Sequence, residues 1–226
     1  MKRLKIGIPG WKTGENSFGA GTNHLTYIQQ FGDACIIMPH DHTTDYDILY
    51  LPGGMDMNPA AYGQFPGFHT SNQDVHKQYF YDKKLQAFID KGIPIFGVCL
   101  GFQMLLAKFG CKMSQDLPYH PQSSDRWQEG HKVQLKVAEC LVYGVYQGFS
   151  KKAELKVNSH HHQGCLIDGF SEEHLTALAV SEDGVVEAVA HKTLPIFGVQ
   201  WHPEEWYDNF TTEVMQKLVK YAQSKV

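Results

Sequence analysis

Cys99 stands in Gly97-Val98-Cys99-Leu100-Gly101, at the join between two patterns. Before it, Ile93 to Val98 is an apolar run of strand type. After it, Phe102, Leu105, Leu106 and Phe109 recur at helical spacing. A strand that turns sharply into a helix at a nucleophile needs small neighbours, because the turn is tight and the side chain must point out. The turn puts the sulfur at a helix N-terminus, where unpaired N–H groups and the helix dipole stabilise negative charge. Taken alone, the pattern also suits a buried apolar cysteine at a strand end. Far downstream, Pro195 to Gln200 is a second apolar strand, and it runs into Trp201-His202-Pro203-Glu204. Residues i and i+2 of an extended segment point to one side, so His202 and Glu204 can face one site. The carboxylate would orient and charge the imidazole, and a thiol, a base and an orienting acid make a triad for acyl transfer.

Those two strand ends have to meet, and the rest of the chain must hold them together. Leu4 to Pro9, Ala34 to Met38 and Tyr46 to Leu51 read as strands. The third ends in Pro52-Gly53-Gly54, whose glycines let backbone N–H groups come close to a ligand. Asn23 to Phe31 is a short helix with Gly32 as its C-terminal cap. Asp74 to Lys91 is a helix that buries Tyr81, Leu85, Phe88 and Ile89 and stops at Gly92. Trp11 to Gly21 and Asn58 to Asn72 read as loops, and Lys112 to Glu129 as a long exposed connection. The second half is strand-rich: His131 to Val137, Ala153 to Asn158, Leu175 to Ser181, Val185 to Ala190 and Ile196 to Gln200. Phe210 to Ala222 closes the chain as an amphipathic helix. Strands alternating with helices and then strands alone predict an α/β fold with a central, mainly parallel sheet and an antiparallel extension. No repeat, low-complexity tract or linker divides residues 1–226, so a single domain is expected.

Four motifs in order resemble one family. Gly97-Val98-Cys99-Leu100-Gly101-Phe102-Gln103 looks like the nucleophile motif of class I glutamine amidotransferases, and Gly198-Val199-Gln200-Trp201-His202-Pro203-Glu204 like their His-Pro-Glu motif. Leu51-Pro52-Gly53-Gly54-Met55-Asp56 and Val157-Asn158-Ser159-His160-His161-His162-Gln163-Gly164 are similar to segments of the γ-glutamyl hydrolase, or peptidase C26, branch. The resemblance implies a flavodoxin-like three-layer sandwich and a catalytic triad of Cys99, His202 and Glu204. It implies an oxyanion hole from the N–H groups of Gly54 and Leu100. It places Gly53, Gln103, Ser159, His160, His161 and Gln163 against the substrate, the last two near the leaving group. The chain departs from the branch at Lys77-Gln78, where relatives often carry an Arg-Asp pair, and at Leu100, where hydrolases of γ-glutamyl amines commonly have arginine.

The implied reaction is hydrolysis of a γ-glutamyl amide, either a conjugate of an amine or glutamine, through a thioester that releases glutamate. In an alternative, Leu100 marks a glutaminase subunit that passes ammonia to a synthetase on another chain. In a third reading the fold is a non-catalytic binding module. No cofactor is expected, since no nucleotide-binding glycine pattern is present. His40-Asp41-His42 lacks a suitably spaced third ligand, and the neighbours in His160-His161-His162 point in different directions, so no metal is expected; His120 and His131 are candidate substrate neighbours or, alternatively, solvated or structural residues. A net charge of −4 with both signs interspersed gives no basic face for nucleic acid. No apolar run reaches membrane-spanning length. Five cysteines and no export signal behind Met1-Lys2-Arg3 predict a cytoplasmic protein, with a homodimer left open.

Overall fold

The computed structural model describes residues 3–71, 73–117, 120, 130–135 and 154–225. Strand β1 (Lys5–Pro9) leads into a hairpin of β2 (Trp11–Gly14) and β3 (Ser17–Gly19), then helix α1 (Thr22–Gln29) and β4 (Asp33–Ile37). Next come β5 (Ile48–Leu51), α2 (Val75–Lys83), α3 (Leu85–Asp90), β6 (Ile95–Val98) and α4 (Leu100–Lys108). The second half supplies β7 (His131–Leu135), β8 (Glu154–Val157), β9 (Cys165–Leu166), β10 (Leu175–Ser181), β11 (Val185–His191), β12 (Ile196–Val199) and α5 (Asn209–Gln223).

The main sheet runs in the order β4-β1-β5-β6-β12-β11-β10-β7-β8, with β9 added beside β11. Pairing is parallel from β4 to β12 and antiparallel from β12 to β8. The last strand in sequence thus sits in mid-sheet next to the cysteine strand. Alternation along each strand builds two cores. Ile48, Tyr50, Phe96 and Val98 pack on the side of α1 and α5, with Tyr27, Ile28, Val214 and Leu218. Leu49, Leu51 and Ile95 pack on the side of α2 to α4, with Phe80, Leu85, Phe88, Met104 and Leu105. This is the expected α/β sandwich, with helices on both faces of a mainly parallel sheet and an antiparallel extension.

The structure corrects four expectations. Trp11 to Gly21 is not a loop throughout but carries the β2–β3 hairpin. Its short strands are mostly polar and exposed, so no apolar alternation marks them. Asp74 to Lys91 is two helices rather than one, broken at Lys84 (φ −121°, ψ −38°), whose Nζ donates to the Met38 and Asp41 carbonyls. Gly32 is not a left-handed cap; it is small because a Cβ would lie 2.6 Å from the Leu4 carbonyl oxygen. Within the connection after Gly110, Met113, Leu117 and His120 are buried rather than exposed. The remainder of that connection, and positions 136, 137 and 153 of two expected strands, lie outside the described residues. Among the described residues no helix is long and apolar enough to cross a membrane.

Candidate active site

β6 and β12 lie in parallel register with Val98 opposite Val199, so both chains leave the sheet at one edge. This is where ligands bind in open α/β sheets. Cys99 takes φ 48° and ψ −106°, the only non-glycine positive φ among the described residues. Such a conformation costs of the order of 1–3 kcal/mol and persists only where its surroundings fix it. Here the Cys99 N–H donates to the Val199 carbonyl at 2.9 Å, and the Cys99 carbonyl accepts the Gln103 N–H at 2.9 Å. The flanking glycines are steric requirements. A Cβ on Gly97 would lie 2.8 Å from the Gly101 carbonyl oxygen, and one on Gly101 would strike the Leu51 carbonyl.

His202 is held at both ends. Its N–H donates to Asn158 Oδ1 at 2.8 Å, its carbonyl accepts from Asn158 Nδ2 at 3.1 Å, and its Nδ1 meets Glu204 Oε1 at 2.7 Å. The imidazole and the cysteine both border Gly53: a Cβ there would lie 2.7 Å from His202 Cε1 and 3.4 Å from Cys99 Cβ. Burial works against the imidazolium, but the Glu204 carboxylate and the Cys99 sulfur beside the ring outweigh it and hold His202 well above its ordinary pKa. Burial likewise raises Glu204, and His202 with His24 more than offsets it, leaving the carboxyl below its usual range. Glu204 Oε1 also lies 3.3 Å from His24 Nδ1, which is 3.0 Å from the Tyr50 hydroxyl. Burial drives His24 down to about 4, so that ring is neutral at neutral pH. Sequence reasoning found neither the His24–Tyr50 support of Glu204 nor the Asn158 clamp; these contacts cross from the first half of the chain, or from the residue after β8, to the His202 segment.

Lys77 is a further residue missed as a participant. It is buried, its Nζ donates to the Gly53 carbonyl, and the same ammonium stands 3.8 Å from the centre of the Trp11 ring. Burial lowers its pKa to about 8. Its place at the chain's departure from the Arg-Asp pattern was the available signal, since a cation remains there.

Two cavities adjoin at Gly54, Met55 and His160. One of about 280 Å³ is lined by Cys99, Gln103, His160, His161 and Gln163. The other, of about 650 Å³, is lined by Trp11, His24, Gly53, Lys77, His202 and Glu205. Gly54 borders both, next to the Leu100 side chain. Gln103 Nε2 donates to the Gln163 carbonyl at 3.0 Å, and Gln163 Oε1 accepts from the Met57 N–H at 3.3 Å. The His160 ring stands edge-on to that of His202. Ser159 borders neither cavity: its side chain is buried and its Oγ has no hydrogen-bond partner among the described residues. His162 lines the smaller cavity with Asp56, its Nε2 2.9 Å from Asp56 Oδ1, and His40 Nε2 lies 3.9 Å from Asp41 Oδ1.

A mainly parallel sheet with a strained cysteine elbow beside a buried His–Glu pair has the fold of the class I glutamine amidotransferases. A glutamine amidotransferase of Thermotoga maritima shares that fold, with a TM-score of 0.57 at 16% identity over 100% of this chain and 92% of that one. The chain belongs to the Peptidase C26 family, whose model matches residues 21–204. It is 33% identical over 194 residues to the glutamine amidotransferase-like protein YvdE of Lactococcus lactis, covering 80% of this chain and 78% of that protein. It is 30% identical over 167 residues to a γ-glutamyl-γ-aminobutyrate hydrolase of Escherichia coli O157:H7, covering 70% and 64%. The protein is thus an amide hydrolase of the glutamine amidotransferase type.

Proposed function

We propose that the protein is a cysteine-dependent hydrolase of γ-glutamyl amides larger than glutamine, working without a partner. The pair of adjoining cavities carries this reading. Cys99 lines the smaller one and His202 the larger, so a scissile amide between them directs its glutamyl head to one side and its amine to the other. A volume of about 650 Å³ on the amine side is far more than ammonia needs. This assignment puts His161 and Gln163, which line the smaller cavity, on the glutamyl side rather than near the leaving group. The similarity to a hydrolase of a γ-glutamyl amine supports the same assignment.

Cys99 Sγ attacks the γ-carbonyl carbon, and His202 accepts the thiol proton. The Gly54 and Leu100 N–H groups stabilise the oxyanion; the first N–H groups of α4 have no carbonyl within the helix to meet. The C–N bond breaks as His202 returns the proton to the departing nitrogen, leaving a γ-glutamyl thioester on Cys99. Water, deprotonated by His202, then displaces the thiolate and releases glutamate. Glu204 keeps the imidazole oriented and stabilises its cationic form. Lys77 acts through the Gly53 carbonyl as a positioning residue for the glycine loop.

The test is glutamate release by the purified chain from a panel of γ-glutamyl amines and from glutamine. Conjugates with bulky amines should be the better substrates, and Cys99→Ser should abolish turnover. Turnover of glutamine alone, and only when a synthetase is added, would establish the ammonia-donor reading that Leu100 favours. No glutamate from any member of the panel would refute the proposal.

A further inference from the structure

Behind the segment that lines the smaller cavity lies a second cluster of ionisable groups, which shares His161 with the wall of the Cys99 cavity. His120, His131 and Glu187 bring one ligand atom each within 4.8 Å of one another, and His161 faces the same carboxylate. Glu187, on β11, is completely buried, and His120 and His161 are nearly so. From Glu187 Oε1 the distances are 3.8 Å to His120 Nδ1, 3.4 Å to His131 Nε2 and 3.6 Å to His161 Nε2. None of these four atoms has a hydrogen-bond partner among the described residues, and neither has Glu187 Oε2.

The outward-facing atoms fix which nitrogens carry hydrogen. His120 Nε2 lies 3.0 Å from Asp183 Oδ2, and His161 Nδ1 lies 3.0 Å from the Gln163 carbonyl; both partners accept only. Each ring therefore donates outward through that nitrogen, and its other nitrogen turns toward Glu187. A buried carboxylate ringed by imidazole nitrogens needs a positive charge among them, which a metal ion can supply. Imidazoles oriented by a carboxylate and a carbonyl, with their free nitrogens converging, are the arrangement that supports metal ligands. Ligands about 2.0–2.1 Å from a tetrahedral zinc lie about 3.4 Å apart, close to the spacings around Glu187 Oε1.

We infer that His120, His131 and Glu187, with His161 closing in as the fourth ligand, bind a structural zinc ion. The site would join β7, β11 and the segment 158–164. The Gln163 carbonyl that orients His161 also accepts from Gln103 on α4, so the ion would brace the wall of the smaller cavity. Sequence spacing could not reveal the set, because its members are spread over four separate stretches and Glu187 follows two valines in its strand.

The test is metal content and affinity of the full chain. The protein is stripped with EDTA and titrated with zinc sulfate against a chromophoric chelator, in wild-type and Cys99→Ser forms. We expect one zinc per chain in both, with affinity reduced on the order of 100-fold in Glu187→Gln and in His131→Ala. Cobalt(II) should give tetrahedral absorption bands without a thiolate charge-transfer band, which separates this site from any cysteine site. No stoichiometric zinc in the wild type would overturn the inference, and the cluster would then be a protonated His–Glu network. So would equal affinity in the variants, or a thiolate band. Should Glu187→Gln fail to fold, His131→Ala decides, because that ring is at the cluster's partly exposed side.

Discussion

Gly53→Ala probes the geometry between the sulfur and the imidazole. The position does not require a left-handed backbone, so alanine meets no intrinsic barrier there. Its Cβ would stand 2.7 Å from His202 Cε1, whereas ordinary contact begins near 3.4 Å. Either the ring or the glycine loop must yield by about 0.7 Å. Asn158 fixes the His202 backbone and Glu204 its Nδ1, so the displacement falls on the distance between base and nucleophile. A misplacement approaching 1 Å costs on the order of 10²-fold in rate, or about 3 kcal/mol of barrier. Overpacking itself costs about 1–3 kcal/mol of stability, which leaves a folded protein to assay. Steady-state kinetics on a γ-glutamyl amide should show kcat/KM down about 10²-fold. Gly63→Ala is the control: φ is +75° with nothing within 4 Å, so it should lose about 1 kcal/mol of stability and keep kcat/KM. A folded Gly53→Ala protein with kcat/KM within about twofold of wild type would refute the reasoning.

Glu204→Gln removes the largest charge that holds His202 up, so its pKa should fall. In the wild type the raised pKa makes the imidazolium stabilising below the unfolded value, with that contribution lost as pH rises through the folded one. NMR titration of His202 should show the drop in the variant, with kcat/KM lower by about 10²–10⁴-fold; an unchanged titration contradicts the electrostatic account. Asn158→Ala strips both hydrogen bonds from the His202 backbone and should lose about 2–4 kcal/mol in urea unfolding. A loss below about 0.5 kcal/mol would show that water replaces them. With Lys77 at about 8 folded and 10.5 unfolded, the unfolded chain binds more protons between those values, so stability contributed by this group rises with pH there. Lys77→Met should flatten that rise in urea midpoints and lower kcat/KM about tenfold by freeing the Gly53 carbonyl; an unaltered pH slope would contradict the burial of the ammonium. Leu218→Ala on α5 should lose about 2–5 kcal/mol by leaving a cavity, without changing KM.

The elbow was legible in the sequence because its requirements are local. Gly97, Cys99 and Gly101 fall within one turn of chain, and the apolar runs on either side declare a strand and a helix. His202 and Glu204 do meet, but not through the alternation of an extended segment: β12 ends at Val199, and the chain turns after His202, whose carbonyl accepts the Glu205 and Trp206 N–H groups. The sheet's division into parallel and antiparallel halves followed from where helices alternate with strands. What escaped depends on tertiary contact. The β2–β3 hairpin has no apolar alternation, and the break at Lys84 answers to the Met38 and Asp41 carbonyls just past the end of β4. Lys77 reads as one more surface charge until Trp11 and Gly53 are seen beneath it. Glu187 lies in Val185-Val186-Glu187-Ala188-Val189, where a buried acid is visible as an anomaly but its partners are not.

The central claim is that Cys99 carries the glutamyl group during turnover. Rapid acid quenching after mixing with a γ-glutamyl amide, followed by mass spectrometry of the peptide containing Cys99, tests it directly. The peptide should gain the mass of one glutamyl group, lose it on treatment with hydroxylamine, and show no gain in Cys99→Ser. Turnover with an unmodified Cys99, or activity retained by Cys99→Ser, would contradict the account.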